Sequence, residues 1–432
     1  MERVLMISYY WPPSGGPGVQ RPLKFVKYLP AEGFDPVVIT VDPEKAYYPL
    51  LDESLQEDVP SQIKVYRTPT FEPFGIYEKL TGRNKMPKPG FAGEGKPGKW
   101  EALVRFIRGN LFVPDPRKGW NRFLIKQALQ LIEEKKPAAI ITSSPPHSTQ
   151  LAGLKLKKLT HIPWIADMRD PWTDIYYYKE FRHLPWVKKK DATYERQVLE
   201  EADAIVVVSE AIKRLFLSKS PSITPEKIHV IPNGFDPSDF PEAPCIENSE
   251  PFTIVYTGTL SPDYPIESLA EAIYRLKEND KIEDIRLHII GKASPQIHES
   301  FHRRGIEHHL ILTGYKPHTE AIKHMQCADA LLLVIPDVPN NEGILTGKLF
   351  EYLATGVPIL GLGPVNGDAA NIIERAGSGN MFAYNDVTSI TNWLFKTYQS
   401  RKLLERRPSA AAMEYSRQAL TGRLAEIIRS LN

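Results

Sequence analysis

A chain of 432 residues that is 42% apolar and 25% charged is long enough for two or three domains, and its composition excludes a disordered or fibrous protein. The formal charge of +2 conceals an asymmetry: residues 1–240 hold 35 Lys and Arg against 29 Asp and Glu, and the remainder is net acidic. No window approaches 18 uninterrupted apolar residues, and "MERVLMISYYWPP" lacks the long apolar core of a signal peptide, so a cytoplasmic protein is expected, with no nucleic-acid partner.

The first predicted strand, "RVLMISYY" (3–10), runs into "YYWPPSGGPGVQRPLKFVKYL" (9–29). Prolines redirect the chain, Gly15, Gly16 and Gly18 make a permissive loop, and a helix is expected from about Arg21. Such a loop lets backbone N–H groups approach an anion or a sugar, with a helix dipole behind them; a plain turn is the competing reading. The spacing is not G-x-G-x-x-G, which argues against a dinucleotide site.

Further strands are predicted at "DPVVITV" (35–41), "AAIITSS" (138–144), "PWIADM" (163–168), "AIVVVS" (204–209) and "IHVIP" (228–232). Short apolar runs alternating with helices predict a parallel sheet covered on both faces. Residues 72–112 interrupt this series with the Gly/Pro/Lys-rich "TGRNKMPKPGFAGEGKPGKW" (81–100), read as a mobile insertion. Two strand ends carry polar clusters, "SSPPHSTQ" (143–150) and "DMRDPWTD" (167–174). His147 is read either as a general acid/base or donor to a sugar hydroxyl, or as a cap of the next helix or a surface residue. Asp167, Arg169 and Asp170 are either site residues or an ion pair that fixes the loop. The basic clusters "LKLKKL" (154–159) and "WVKKKD" (186–191) are either solvated helix faces or contacts to a membrane surface.

The segment 241–251, within "DPSDFPEAPCIENSEP" (236–251), is poor in apolar residues and rich in Pro and acid, as expected of a linker. Cys245 and Cys327, the only cysteines, lack metal-ligand spacing and read as packing thiols, with neither a zinc site nor a disulfide framework expected. A second series of strands follows: "FTIVYTG" (252–258), "RLHIIGK" (286–292), "LILTGY" (310–315), "ALLLVIP" (330–336) and "VPILGLG" (357–363). The chain therefore reads as α/β, with two tandem Rossmann-like doubly wound domains facing a central cleft at the carboxyl ends of their strands. In "NNEGILTGKLFEYLATGVPIL" (340–360), Thr346-Gly347-Lys348 at a helix start combines unpaired N–H groups, a hydroxyl and an ammonium, which suits a diphosphate. Glu351, one turn on, can accept both hydroxyls of a ribose; a surface ion pair with Lys348 is the competing reading.

Together "SYYWPPSGGPG", "VIPNGFD", "IVYTGTL" and "EGILTGKLFEYLATGVPIL" resemble family-4 retaining glycosyltransferases of the GT-B fold, over almost the whole chain. "SSPPHS" with "DMRDPW" further resembles bacterial members assigned to surface-polysaccharide assembly. The resemblance implies an N-terminal acceptor domain over 1–240, a nucleotide-sugar domain over 252–410 and a C-terminal helix over 411–432 crossing back to the first domain. It implies a nucleotide-diphosphate sugar as co-substrate, a saccharide or lipid-linked saccharide acceptor, no metal and no bound cofactor. It also implies peripheral contact with the inner face of the membrane through the basic first domain.

Glu351 resembles the second Glu of the family's E-x7-E motif, which binds ribose, and Glu342 the first, which contacts the donor sugar, although here eight residues intervene. The family's phosphate-binding Arg is replaced by Thr259, next to Gly258, so Lys348, or less readily Lys292, would supply the charge. Arg169 stands about where many relatives keep a His. The implied catalytic set is Glu342, Lys348, Arg169, Asp167 and His147. The implied donor-binding set is Gly15, Gly16, Gly258, Thr259, Lys292, Thr346, Gly347, Lys348 and Glu351. Three competing functions stand beside this: a same-fold 2-epimerase, a nicotinamide oxidoreductase disfavoured by the missing fingerprint, and a scaffold of a glycan-assembly complex.

Overall fold

The computed structural model describes residues 1–72, 99–175, 177–241, 251–279, 282, 284–403 and 405–432. Most of the insertion expected over 72–112, and of the linker expected over 241–251, lies outside them. The chain divides into two compact units, the first comprising Met1–Pro232 and Arg417–Asn432, the second Asn233–Ser416.

Unit 1 contains β1 (Glu2–Ser8), α1 (Pro17–Tyr28), β2 (Phe34–Val41), β3 (Lys64–Thr68), α2 (Lys99–Leu111), α3 (Asn121–Lys135), β4 (Ala139–Ser144), α4 (Ser148–Thr160), β5 (Trp164–Met168), α5 (Pro185–Glu201), β6 (Ala204–Val207), α6 (Glu210–Leu217) and β7 (Ile228–Val230). The strands form one parallel sheet in the order β3-β2-β1-β4-β5-β6-β7. Every residue of β4, β5 and β6 is buried, because helices cover both faces and no strand face is left for water. That is why these strands read as continuous apolar runs. β3 escaped the sequence reading because it is an edge strand whose "KVYRT" is mostly half-exposed and carries two charges. α1 starts at Pro17, earlier than Arg21, with proline in the first helical position where its missing N–H costs nothing.

Unit 2 contains β8 (Phe252–Leu260), α7 (Glu267–Glu278), β9 (Ile285–Ala293), α8 (Pro295–His302), β10 (Leu310–Leu312), α9 (His318–Gln326), β11 (Ala330–Val334), α10 (Gly347–Thr355), β12 (Ile359–Leu362), α11 (Asp368–Arg375), β13 (Gly379–Phe382), α12 (Val387–Ser400) and α13 (Ala410–Met413). Its parallel sheet runs β10-β9-β8-β11-β12-β13, with one apolar cluster on each face. β13, a four-residue edge strand, was also not foreseen. Phe235 packs in this unit: its N–H donates to Tyr415 O at 3.2 Å, it pairs with Ser416, and its ring is buried among Phe350 and Ala412. The Asn-Gly-Phe-Asp turn (233–236), inside the 1–240 domain that the resemblance implies, thus belongs to the second unit.

The last helix, α14 (Arg417–Ser430), returns to unit 1. Leu420, Leu424, Ile427 and Ile428, spaced as one helix face, bury against Val19, Leu23 and Val26 of α1. Cys327 is disulfide-bonded, which corrects its reading as an inert thiol; Cys245 lies outside the described residues. Among the described residues, no helix is long and apolar enough to cross a membrane, and no group of three or more His, Cys, Asp or Glu could hold a metal ion.

Candidate functional site

In unit 2 the parallel register sets Gly258 beside Gly291 and Thr259 beside Lys292 at the carboxyl ends of β8 and β9. The two strands approach so closely here that a Cβ on Gly291 would lie 1.9 Å from Gly258 O, and both glycines have positive φ (109° and 141°). A Cβ on Gly258 would in turn come within 2.7 Å of Lys348 Cε and 3.1 Å of its Nζ. The Lys348 ammonium therefore lies over the strand end itself, 5.3 Å from the centre of the Tyr256 ring. Tyr256 is buried, and its hydroxyl donates to Thr259 O at 3.0 Å, which fixes the ring under the amine.

Lys348 sits in the first turn of α10, where helix geometry leaves the amides of Gly347 and Lys348 without intrahelical acceptors. Thr346 occupies the N-cap position, yet its Oγ1 makes no cap and is buried without a partner. The space over Gly347 is open. Lys348 makes no ion pair or hydrogen bond among the described residues. Burial pulls its pKa down from the ordinary lysine value, and Glu351 one turn on pulls it the other way. Glu351 does not pair with Lys348; its Oε1 lies 3.3 Å from His318 Nε2, at the start of α9. Glu342 is exposed in a single 3-10 turn, Asn341–Gly343, entered through left-handed Asn340 (φ 59°). Asn341 pins that turn by donating to Pro336 O at 2.9 Å and to the Tyr384 hydroxyl at 3.0 Å. The Lys348 amine, the Thr346 hydroxyl and the Gly347 and Lys348 amides thus belong to one helix start, with no carboxylate within ion-pair distance of the amine among the described residues, an arrangement able to hold a diphosphate.

Unit 1 gathers its polar residues at the ends of β1, β4 and β5, but most are already engaged. Asp167 is buried: Arg21 Nε approaches its Oδ1 at 2.9 Å, the Ser143 hydroxyl donates to its Oδ2 at 2.8 Å, and Arg21 Nη1 also donates to Pro232 O at 2.9 Å. Asp167 thus forms its ion pair with Arg21, a residue outside the Asp167, Arg169 and Asp170 group considered from sequence. Arg169 donates from Nε to Ser144 O at 2.9 Å, gripping the "SSPP" turn, and burial pulls its pKa down. Its Nη2 faces the glycine loop, 3.7 Å from where a Cβ on Gly18 would stand.

His147 stacks on Trp172 (centroids 4.7 Å apart, planes 11° apart) with Nδ1 buried and unpartnered. Burial, reinforced by the Arg169 charge, pushes its pKa down to about 3, so the ring is neutral at ordinary pH. It makes no side-chain cap at the start of α4. A neutral imidazole can bind a sugar hydroxyl but is not a cationic acid. The Gly15 amide donates to Leu50 O at 2.9 Å and is therefore committed within the fold; Gly16, with φ 88°, is the N-cap residue of α1.

The structure thus brings Gly258, Thr259, Lys292, Thr346, Gly347, Lys348 and Glu351 to one end of unit 2, and His147, Asp167, Arg169 and the glycine loop to one end of unit 1. Sequence reasoning missed Arg21, Tyr256, Trp172 and His318. Tyr256 and Trp172 read as ordinary apolar residues, and Arg21 lies 146 positions from its partner.

Comparison with known proteins agrees with this architecture. The model described as Glycosyltransferase Family 4 matches residues 23–239, and that described as Glycosyl transferases group 1 matches residues 243–413. The putative teichuronic acid biosynthesis glycosyltransferase TuaH of Bacillus subtilis (strain 168) is 22% identical over 173 residues, which are 39% of this chain and 42% of TuaH, so less than half of that relative is matched. Among solved structures, sucrose-phosphate synthase from Thermosynechococcus elongatus superposes with a TM-score of 0.60 at 13% identity, covering 100% of this chain and 99% of that one. A variant of S. aureus TarM, in complex with fondaparinux, alpha-GlcNAc-glycerol and UDP, gives 0.58 at 12% identity, covering 99% and 100%. These likenesses establish the two-domain GT-B fold, and with the family matches spanning both units, the chain belongs to glycosyltransferase family 4.

Proposed function

We propose that this glycosyltransferase moves a sugar from a nucleotide-diphosphate donor to a saccharide or lipid-linked saccharide, with retention of configuration, in the assembly of a cell-surface polysaccharide. The observation that carries this reading is Lys348: a partly buried ammonium at a helix start, over an aromatic ring, with no counter-charge paired to it among the described residues. A cation left in that state costs free energy unless an anionic ligand completes it. The TarM complex with UDP and the name of TuaH support a nucleotide donor and a polysaccharide context.

In this reading the diphosphate rests on the Gly347 and Lys348 amides, the Thr346 hydroxyl and the Lys348 ammonium. Thr259, where the family's Arg is missing, lies in register with Lys292, which offers a second, outer charge. Glu351, held beside His318, takes the ribose hydroxyls, and Glu342 orients the sugar from its pinned turn. Unit 1 receives the acceptor, with neutral His147 and Arg169 facing it, while Asp167 acts through Arg21 and Ser143 to hold the strand ends.

The sugar's bond to the diphosphate oxygen breaks through an oxocarbenium-like state, and the acceptor oxygen bonds to the anomeric carbon from the same face. The acceptor's proton passes to the departing phosphate oxygen. The charge needing stabilisation is on that phosphate, which Lys348 and the helix start supply without calling on a metal. The reaction runs in the cytoplasm at the inner face of the membrane.

Melting temperatures of wild type and Glu351→Ala with UDP-, GDP-, TDP-, ADP- and CMP-sugars test the site, because a ligand of the folded state raises the midpoint with its affinity. One nucleotide should stabilise wild type and not the variant; no shift with any of them overturns the reading. The anomeric configuration of the product by NMR then decides retention.

A further inference from the structure

Away from the strand ends, unit 1 has a cavity of about 250 Å³ between the end of α2 and the start of α5. Phe71, Leu111 and Trp186 give it apolar walls, and Asp115, Lys118 and Lys190 give it polar ones. Trp186 is 58% exposed, whereas Val187, the next residue of α5, is fully buried. The indole is therefore surplus to the core and stands on the cavity wall.

The walls are rigid. Asn110 Oδ1 accepts from the Leu184 amide at 2.6 Å, and its Nδ2 donates to Phe106 O at 2.8 Å, locking the end of α2 to the start of α5. Gly119, also on the wall, packs so closely on Phe71 that a Cβ there would lie 2.0 Å from Phe71 O.

The charge on these walls is unbalanced. Lys118 Nζ lies 4.9 Å from the centre of the Tyr194 ring and Lys190 Nζ 5.9 Å from the same centre, so one aromatic side chain gathers two ammoniums. Lys118 donates to Val113 O at 3.2 Å and to the Tyr194 hydroxyl at 3.4 Å, both neutral groups. Neither lysine makes an ion pair among the described residues. The carboxylates beside them are engaged elsewhere. Asp115 accepts from the Arg117 amide at 2.9 Å, the Ser148 amide at 2.7 Å and the Ser148 hydroxyl at 2.8 Å. Asp191, next to Lys190, is buried and accepts from Trp172 Nε1 at 2.9 Å and the Tyr178 hydroxyl at 2.8 Å. Two like charges gathered without a counter-ion repel each other, and an anion bound between them reverses the sign of that energy.

Two contacts tie the cavity to His147. Asp115 holds the amide of Ser148, the residue after His147, and Asp191 holds the Trp172 indole on which His147 stacks.

We infer that this cavity binds an acidic sugar residue, one that carries a carboxylate or a phosphate. Trp186 covers the C–H face of the ring, and Lys118 and Lys190 hold the anionic group by charge-assisted hydrogen bonds. A neutral sugar would satisfy the indole and leave both ammoniums uncompensated, so the cavity selects for acid. Its place beside His147 makes it a subsite for the acceptor: with the reacting hydroxyl at His147, an acidic neighbour along the saccharide enters the cavity. This last step rests on the transferase function proposed above, whereas acid-sugar binding does not.

Ligand-observed NMR titration of the full chain tests it, with tetragalacturonate, a hyaluronan tetrasaccharide, glucose 1-phosphate, neutral maltotetraose and inorganic phosphate as probes. At least one acidic saccharide should bind about tenfold or more tighter than both maltotetraose and inorganic phosphate. Binding of a uronate assigns the anion as a carboxylate, and binding of glucose 1-phosphate alone assigns it as a phosphate. Lys118→Gln with Lys190→Gln should weaken that binding about tenfold or more, as should Trp186→Ala, while Trp186→Phe keeps most of it. Denaturation midpoints and nucleotide-sugar melting shifts of these variants should equal those of wild type. Equal affinity for acidic and neutral saccharides overturns the inference, as do inorganic phosphate binding as tightly as any saccharide, no binding at all, and variants that bind as wild type does. If no nucleotide sugar stabilises the protein, the proposed transferase reaction fails while the acidic-saccharide result stands on its own.

Discussion

The two units solve the same problem, polar groups at the ends of a buried parallel sheet, in opposite ways. In unit 1 the charged groups are answered from inside the fold, Asp167 by Arg21 and Ser143 and Arg169 by Ser144 O, while neutral His147 keeps a buried Nδ1 without a partner. In unit 2 Lys348, over Gly258 and the ring of Tyr256, and the buried Thr346 hydroxyl are left unanswered among the described residues. A self-satisfied polar cluster holds a shape; an unsatisfied one is an incomplete site, stable only because the surrounding fold tolerates it. Mutations should therefore act on stability in unit 1 and on ligand affinity in unit 2.

The largest effect should come from breaking the buried pair. Asp167→Ala strands Arg21, whose side chain is fully buried, and should lower unfolding free energy by about 3–5 kcal/mol in chemical denaturation. Lys348→Ala should do the reverse: it should leave the apo protein as stable as wild type, or slightly more so, and weaken nucleotide-sugar binding on the order of a hundredfold by calorimetry. Comparable losses of stability in both variants would remove the contrast between the units.

His147 sharpens the comparison through pH. Its folded pKa of about 3 lies below the ordinary 6.5, so between these values the unfolded chain binds the extra proton and stability falls as pH falls. From pH 7 to pH 5 the group should cost wild type about 2 kcal/mol, and His147→Asn should lack that share of the acid sensitivity. Lys348 predicts the opposite limb: with its pKa lowered by burial, donor affinity should decline on the alkaline side, and Lys348→Arg should move that decline to higher pH.

The smallest effect is steric. Gly258→Ala places a methyl at φ 109° and within 2.7 Å of Lys348 Cε. It should reduce donor affinity about tenfold with a modest loss of melting temperature, because the flexible amine can move at the expense of its position. An unchanged affinity would mean that the amine's place over Tyr256 is immaterial to the ligand.

What the sequence by itself determined is local. Continuous apolar runs marked the buried strands, since a strand covered on both faces must be apolar on both. Helix-start chemistry marked Thr346-Gly347-Lys348, since unpaired amides belong to any helix start. Edge strands β3 and β13 stayed hidden, because half-exposed residues carry no such pattern. Only the tertiary structure decided which charges are free. Lys348 and Glu351 lie three residues apart and look like a pair, yet Glu351 meets His318 and Lys348 meets an aromatic ring. Asp167 looks like a site residue beside Arg169, yet it belongs to Arg21, 146 positions away. Partners distant in sequence leave no spacing to read, and the free energy of a buried charge depends on those partners rather than on its neighbours along the chain.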